Sequence, residues 1–526
     1  MTMSAWNAGP AKGAAAAVSG PVGGETLTEK VVKGSTWLVG LKIGARVTGL
    51  ASTFVLARLL SPADFGVLGV CLLAVSLLET FSQTGFESAL VHKKGDIGRY
   101  LDTAFLVSAL RGVILGLSLF VSAPLVAAFF DSPPSGELLR FLALMPVLGG
   151  LCNVGMVVFQ KELHFRKLFL YEISSTVSYL LFAVPLAYFL RNAWALAWAV
   201  LAGRLVTLAA SYVLHPYRPV FRFDATAARE LFSFGKWLFW THIILYFINE
   251  GQNAFVGKML GTAALGCYAM AYKIAYLPVT EITFVVSRVM FPAYSKIQDN
   301  PAKTREVYNK TIDLLAFVSI PASGMIYACS PDFVSLFLGQ KWADAVPVIR
   351  LYAFTGFLVS IGAAAGPFLY GVGKPRIVTY ILLLRLLLTA SLIYPLTLWW
   401  GLWGTALSVL LSTAVVEPLE VLIVARLTRS RLLSLGTGVA VPFVLTVAMV
   451  CLFEVSRFVF AGGQPGIPAF LLLSGMAGLF YLLTAYLWDR WLGFAGFSSF
   501  SGLAWSYGLS HVHGWFRRTL SSEPMA

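Results

Sequence analysis

The stretch Ala57–Val70, ARLLSPADFGVLGV, aligns without a gap on Gly257–Met270, GKMLGTAALGCYAM, at an offset of 200 residues. Leu60 meets Leu260, Ala63 meets Ala263, Gly66 meets Gly266, and the cation Arg58 meets Lys258. Upstream, Trp37 meets Trp237, Lys42 meets His242 and Ile43 meets Ile243. A second stretch aligns at an offset of 210, where Arg140 meets Arg350 and Arg166 meets Arg376. Apolar segments match one another easily, so the weight rests on glycines and charges kept at the same spacing. The chain reads as two copies of one unit.

Composition says what kind of unit. Of 526 residues, 58% are hydrophobic and only 12% charged, against roughly 45–50% and about 25% in soluble domains. Hydrocarbon excludes charge, so a bilayer explains the deficit. A spanning helix needs about 20 mostly apolar residues. Such stretches run over Thr36–Leu59, Phe65–Phe86, Thr103–Phe130, Leu138–Phe159, Leu168–Leu190 and Ala193–Leu214. After a polar stretch from His215 to Glu230 come Leu231–Val256, Ala263–Met290, Thr311–Cys329, Val346–Tyr370, Ile377–Trp400 and Leu402–Ala425, then Val439–Phe453 and Ile467–Trp488. The expected fold is all-α and integral to the membrane, with about fourteen spans.

The net charge of +14 sits in short loops. Every second loop is basic: Lys93, Lys94 and Arg99; Lys161, Arg166 and Lys167; Arg218, Arg222 and Arg229; Lys296, Lys303, Arg305 and Lys310; Lys374 and Arg376; Arg426, Arg429 and Arg431. By the positive-inside rule these loops and both termini are cytoplasmic. Residues 1–30 read as a disordered cytoplasmic tail, 31–214 as an N-lobe, 215–230 as a cytoplasmic linker, 231–431 as a C-lobe, 432–490 as two further helices and 491–526 as a second cytoplasmic tail. An even number of spans separates the matched segments, so the repeats run parallel and form two lobes about a central cavity.

Several functions are excluded as expectations. No basic patch with interleaved aromatics points to nucleic acid. Cys71, Cys152, Cys267, Cys329 and Cys451 show neither CxxC nor metal spacing. No GxxxxGK[ST] loop, HExxH or nucleophile elbow occurs, and no long loop offers room for a transferase site. The protein is expected to be no enzyme and to hold no cofactor or metal.

The run GSTWLVGLKIGARVTGLASTFVLARLLSPADFGVLGV, followed by Gly85-Phe86-Glu87-Ser88-Ala89-Leu90 and a basic loop, resembles the polysaccharide transporter (Wzx-like flippase) family of the MOP exporter superfamily. Its most specific piece is Ala57, Arg58, Leu60, Ser61, Pro62, Asp64, Phe65 and Gly66, and the likeness covers about Lys30 to Arg431. The resemblance implies two six-helix lobes of the MATE-like (MOP) fold plus two extra C-terminal helices. It also implies alternating access, an undecaprenyl-pyrophosphate-linked oligosaccharide as substrate, and residence in the cell inner membrane among its lipids. A polysaccharide polymerase and a chain-length regulator would be partners. The alternatives are a multidrug or cation antiporter of the same superfamily, a peptidoglycan-precursor flippase, and a membrane-embedded polymerase or glycosyltransferase.

Ionisable groups inside spans mark candidate sites, since each costs about 2.5–3.5 kcal/mol at mid-membrane on insertion scales. Lys42 and Arg46 share one face of the first span, with Thr53 near the same line, a cationic stripe suited to a pyrophosphate. Lys273 and Arg288 are further substrate-binding cations. Glu250 and Glu281 are candidate acids for coupling to H⁺ or Na⁺, with a lobe-pairing role for Glu281 as the alternative. Glu79, Gln83 and Asn253 are candidates for cavity lining or lobe pairing. Arg111, Glu172, Arg204, Arg350, Arg385 and Glu417 are further intramembrane charges, most of them expected to line the cavity or pair between helices, which the sequence does not rank.

Overall fold

Ser61-Pro62-Ala63-Asp64 is a helix start spelled out in four residues. In the computed structural model the Ser61 hydroxyl accepts from the Asp64 N–H at 3.3 Å, the Asp64 carboxylate accepts from the Ser61 N–H at 2.9 Å, and Pro62 takes the first helical position. This capping box and N1 proline begin the helix with its free N–H groups satisfied. The structure describes residues 48–492 apart from 84, 94–96, 163, 278–289, 292, 431 and 463–464.

Among the described residues all regular structure is helical, with no strand. Its helices are α1 (Thr48–Leu59), α2 (Pro62–Phe81), α3 (Phe86–His92), α4 (Gly98–Phe129), α5 (Pro133–Leu142), α6 (Leu144–Gly150), α7 (Met156–Lys161), α8 (Phe165–Leu190) and α9 (Ala193–Leu214). There follow α10 (Ala225–Ala275), α11 (Pro301–Phe333), α12 (Ala345–Gly362), α13 (Ala365–Gly371), α14 (Pro375–Thr428), α15 (Leu432–Ala461) and α16 (Ile467–Leu492). Ten helical stretches among the described residues are long and apolar enough to cross a membrane. Large apolar side chains such as Val121, Leu125, Phe189, Val213 and Phe458 stand exposed on them, as contact with lipid tails requires.

Two of these stretches are hairpins. In α14 the chain reverses at Gly401, whose φ is +57° and ψ −134°. Hydrogen bonds then pair Thr397 with Thr405, Thr389 with Ser412, and Arg385 with Glu417. In α10 the reversal falls at Gly261, φ +84°, and Tyr268 bonds back to Gln252. Only glycine adopts these angles without strain. Each hairpin therefore supplies two antiparallel crossings, matching the breaks expected at Val256–Ala263 and Trp400–Leu402.

Other boundaries differ from expectation. The fourth expected span, Leu138–Phe159, is three short helices, α5 to α7, interrupted at 151–155 where the Asn153 side chain accepts from the Gly155 N–H at 2.9 Å. Helix α10 begins inside the stretch read as a linker, because Asp224 caps the N–H groups of Thr226 (2.8 Å) and Ala227 (3.1 Å). The rest of that stretch is tied to the start of α4: the Tyr217 hydroxyl donates to Asp102, and Asp224 N–H donates to Thr103 Oγ1 at 3.0 Å.

The repeat closes on itself where α2 crosses the second arm of α10. A Cβ added at Gly66 would lie 1.7 Å from the Thr262 carbonyl oxygen, and one at Gly266 would lie 1.9 Å from that of Pro62. One apolar core spans the crossing, joining Ala57, Val70 and Leu73 to Val256, Leu265, Tyr268, Trp342 and Tyr352. A second fills the N-terminal half around Leu56, Leu68, Leu139 and Leu196. The last two helices pack on α11 through Phe317, Met449, Phe453 and Tyr481.

Candidate functional site

The two hairpins enclose a cavity of about 460 Å³. The first arm of α10 contributes Phe247, Asn249, Gln252 and Phe255, its second arm Tyr272 and Tyr276, and α14 contributes Arg385, Thr389 and Tyr394. Gln252 braces the wall: its Oε1 accepts from the hydroxyls of Tyr268 at 2.7 Å and Tyr352 at 2.8 Å, and those hydroxyls also touch each other. Tyr272 stacks on Tyr276 at 4.5 Å, and both rings meet Tyr352 edge-on at 5.4 Å. Fully buried hydroxyls demand such partners.

Arg385 is the one charged residue among the described residues lining this cavity. Its Nη1 donates to Glu417 Oε1 at 3.1 Å and its Nη2 to Thr413 Oγ1 at 3.0 Å. The Arg385 side chain is 18% exposed and that of Glu417 8%. Gly362 of α12 makes room for the acid, since a Cβ there would lie 1.7 Å from Glu417 Oε2. Aromatic walls with one cation and a few amide and hydroxyl groups can bind an anionic, sugar-like headgroup.

A second polar cluster joins the two halves away from the cavity. The Arg58 guanidinium, at the end of α1, donates to the carbonyls of Phe337 at 3.1 Å, Ser335 at 3.2 Å and Leu336. These carbonyls belong to the π turn Val334–Leu338 that ends α11, where a cation also meets the negative helix end. In return Lys341 Nζ donates to the Arg58 carbonyl at 2.9 Å and Trp342 Nε1 to that of Ala57 at 3.0 Å. Burial first, and the Arg58 charge with it, hold the Lys341 ammonium below its usual pKa. The repeat partner of Arg58, Lys258, makes the reciprocal contact, bonding Asp131 just past the end of α4 at 2.7 Å.

The expected site residues are distributed as follows. Lys42, Arg46, Glu281 and Arg288 lie outside the described residues. Lys273 Nζ donates to Thr53 Oγ1 at 2.8 Å, so α10 reaches the very threonine that lies near the Lys42–Arg46 line. Glu250 accepts from Asn253 Nδ2 at 2.9 Å, one helical turn away. Glu79 is half-buried and its carbonyl accepts from Arg111 at 2.8 Å, while Gln83 is exposed. Of the described candidates, none that was given a specific role from sequence lines the aromatic cavity. Arg385 does, and the usable signal was symmetry: Arg385 and Glu417 each stand sixteen residues from Gly401.

Residues 55–347 match the family described as polysaccharide biosynthesis protein. The lipopolysaccharide biosynthesis protein WzxC of Escherichia coli (strain K12) is 28% identical over 358 residues, 67% of this chain and 72% of that protein. The succinoglycan biosynthesis transport protein ExoT of Rhizobium meliloti (strain 1021) is 25% identical, covering 70% and 74%. Among solved structures, the lipid II flippase MurJ in an inward closed conformation superposes with a TM-score of 0.72 at 12% identity, over 87% of this chain and 99% of that one. An inward-facing MATE family multidrug resistance transporter of the MOP superfamily superposes at 0.60, with 16% identity over 75% and 96%. The chain is a multi-pass membrane protein that shares the fold of MurJ and of the MATE transporter. The chain belongs to the polysaccharide biosynthesis protein family.

Proposed function

We propose that this protein flips a lipid-linked oligosaccharide, an undecaprenyl-pyrophosphate-linked repeat unit, across the cell inner membrane for assembly of a surface polysaccharide. The observation that carries it is the hairpin-walled cavity, aromatic on its sides, with Arg385 the single cation among the described residues that line it. Stacked rings take a sugar face and a guanidinium takes a phosphate. The names of WzxC, ExoT and the lipid II flippase MurJ support the same class of work. The lobes would rock about the Gly66–Gly266 crossing while the polyprenyl tail stays in lipid. Lys42, Arg46, Lys273 and Arg288 would guide the headgroup, and Glu79, Gln83 and Asn253 would serve lobe contacts. The chain acts as a transporter and not an enzyme, with cytoplasmic termini, beside a polysaccharide polymerase and a chain-length regulator. A strain lacking the gene tests this. Undecaprenyl-linked repeat units should accumulate and surface polysaccharide should disappear. Persistence of the polymer with no accumulated intermediate would overturn the reading.

A further inference from the structure

Arg385 is shared between two places. Part of its guanidinium is spent on Glu417 and Thr413, and the side chain still reaches the cavity. Glu417 is walled in on every side. Gly362 of α12 lies against its Oε2, and Tyr276 of α10 and Tyr308 of α11 lie within electrostatic reach of it. The nearest charges are Arg385 and a second acid on its own helix arm, Glu420. The cation therefore offsets part of the cost of burying the Glu417 carboxylate.

Resting on the flippase reading, we propose that Arg385 binds the phosphate of the incoming headgroup by giving up Glu417, and that Glu417 then takes up one proton from water. The pyrophosphate offers the guanidinium a bidentate set of oxygens and carries two negative charges over its two phosphates, which outcompetes a single carboxylate. A buried carboxylate stripped of its cation neutralises itself instead of remaining charged. Proton transfer is the only covalent change: one ion pair is exchanged for another, and an O–H bond forms on Glu417 as one breaks in a hydronium ion of the surrounding water. Substrate loading is thereby tied to proton uptake at a pair in α14, in place of the Glu250 and Glu281 expected from sequence.

The test uses the purified full chain in lipid nanodiscs, with farnesyl pyrophosphate as probe, inorganic pyrophosphate as competitor and farnesol as the uncharged control. Calorimetry in buffers of different ionisation enthalpy gives affinity and protons bound per ligand. The wild type should prefer farnesyl pyrophosphate to farnesol, yield it to inorganic pyrophosphate, and take up protons, at most one per ligand and more at pH 8 than at pH 7. Glu417→Gln should bind at least as tightly with the uptake gone. Arg385→Gln leaves Glu417 unpaired and endangers folding, so the double variant Arg385→Gln/Glu417→Gln is the decisive one. It should melt like Glu417→Gln yet bind about tenfold or more weakly. Wild-type affinity in the double variant, uptake surviving in Glu417→Gln, or equal binding of farnesol would overturn the proposal. The strain experiment reads independently: accumulated lipid-linked repeat units keep the flippase reading even if Arg385 proves irrelevant.

Discussion

Gly66 and Gly266 occupy one crossing, each facing the backbone carbonyl of the residue four positions before the other, Thr262 and Pro62. The repeat seen along the chain is thus a two-fold contact in space. Both helices approach so closely that hydrogen is the only side chain that fits at either position. Gly66→Leu and Gly266→Leu should each lower stability by at least about 1–3 kcal/mol, the usual range for overpacking. Gly475→Ala and Gly478→Ala, with open space around the added carbon, should change little. Thermal unfolding of the purified variants in detergent checks the contrast, and equal losses at all four sites would refute it.

Arg58 holds the end of α11 through three carbonyls, and Lys341 and Trp342 answer with bonds to the backbone of Ala57 and Arg58. Arg58→Ala should loosen this junction and raise the reactivity of a cysteine placed at Leu338, which is fully buried in the same turn. Trp342→Phe, which keeps the ring and removes one N–H, should cost about 1 kcal/mol. Thiol-labelling rates in membranes measure the first effect and unfolding the second. An unchanged labelling rate in Arg58→Ala would count against a latch.

Gln252 is the acceptor for two buried tyrosine hydroxyls. Gln252→Leu should cost about 1–3 kcal/mol, because it leaves buried donors competing for no acceptor. Adding Tyr268→Phe and Tyr352→Phe should return much of that loss, since the orphaned groups are removed. Stability measured across this set decides whether the network is coupled or merely adjacent.

His215 is half-buried beside Lys167 and Arg218, and burial first, then those cations, hold its pKa below the ordinary 6.5. Its Nδ1 accepts from the Tyr217 N–H at 3.1 Å, a bond only the neutral ring can take. The folded state therefore prefers neutral histidine. Stability is full above the unfolded value near 6.5 and falls as pH drops below it toward the lowered folded pKa. Melting temperature should decrease between pH 7.5 and 5.5 in the wild type and decrease less in His215→Gln. Parallel losses in both proteins would show that another group is responsible.

Membrane residence, the helical class and the doubled unit were legible in the chain, because bilayer energetics act on each segment of about 20 residues separately and a repeat is a property of order alone. The cavity was not. Arg385 and Glu417 were visible only as two scattered charges until the reversal at Gly401 set them across one hairpin. Lys273 was read with its own span, yet its partner Thr53 is 220 residues away. Which buried charge meets which depends on helix rotation and register, and those are settled by packing such as the Gly66–Gly266 approach. That is why the sequence alone determined the class of protein, while tertiary structure alone decided which residues line its cavity.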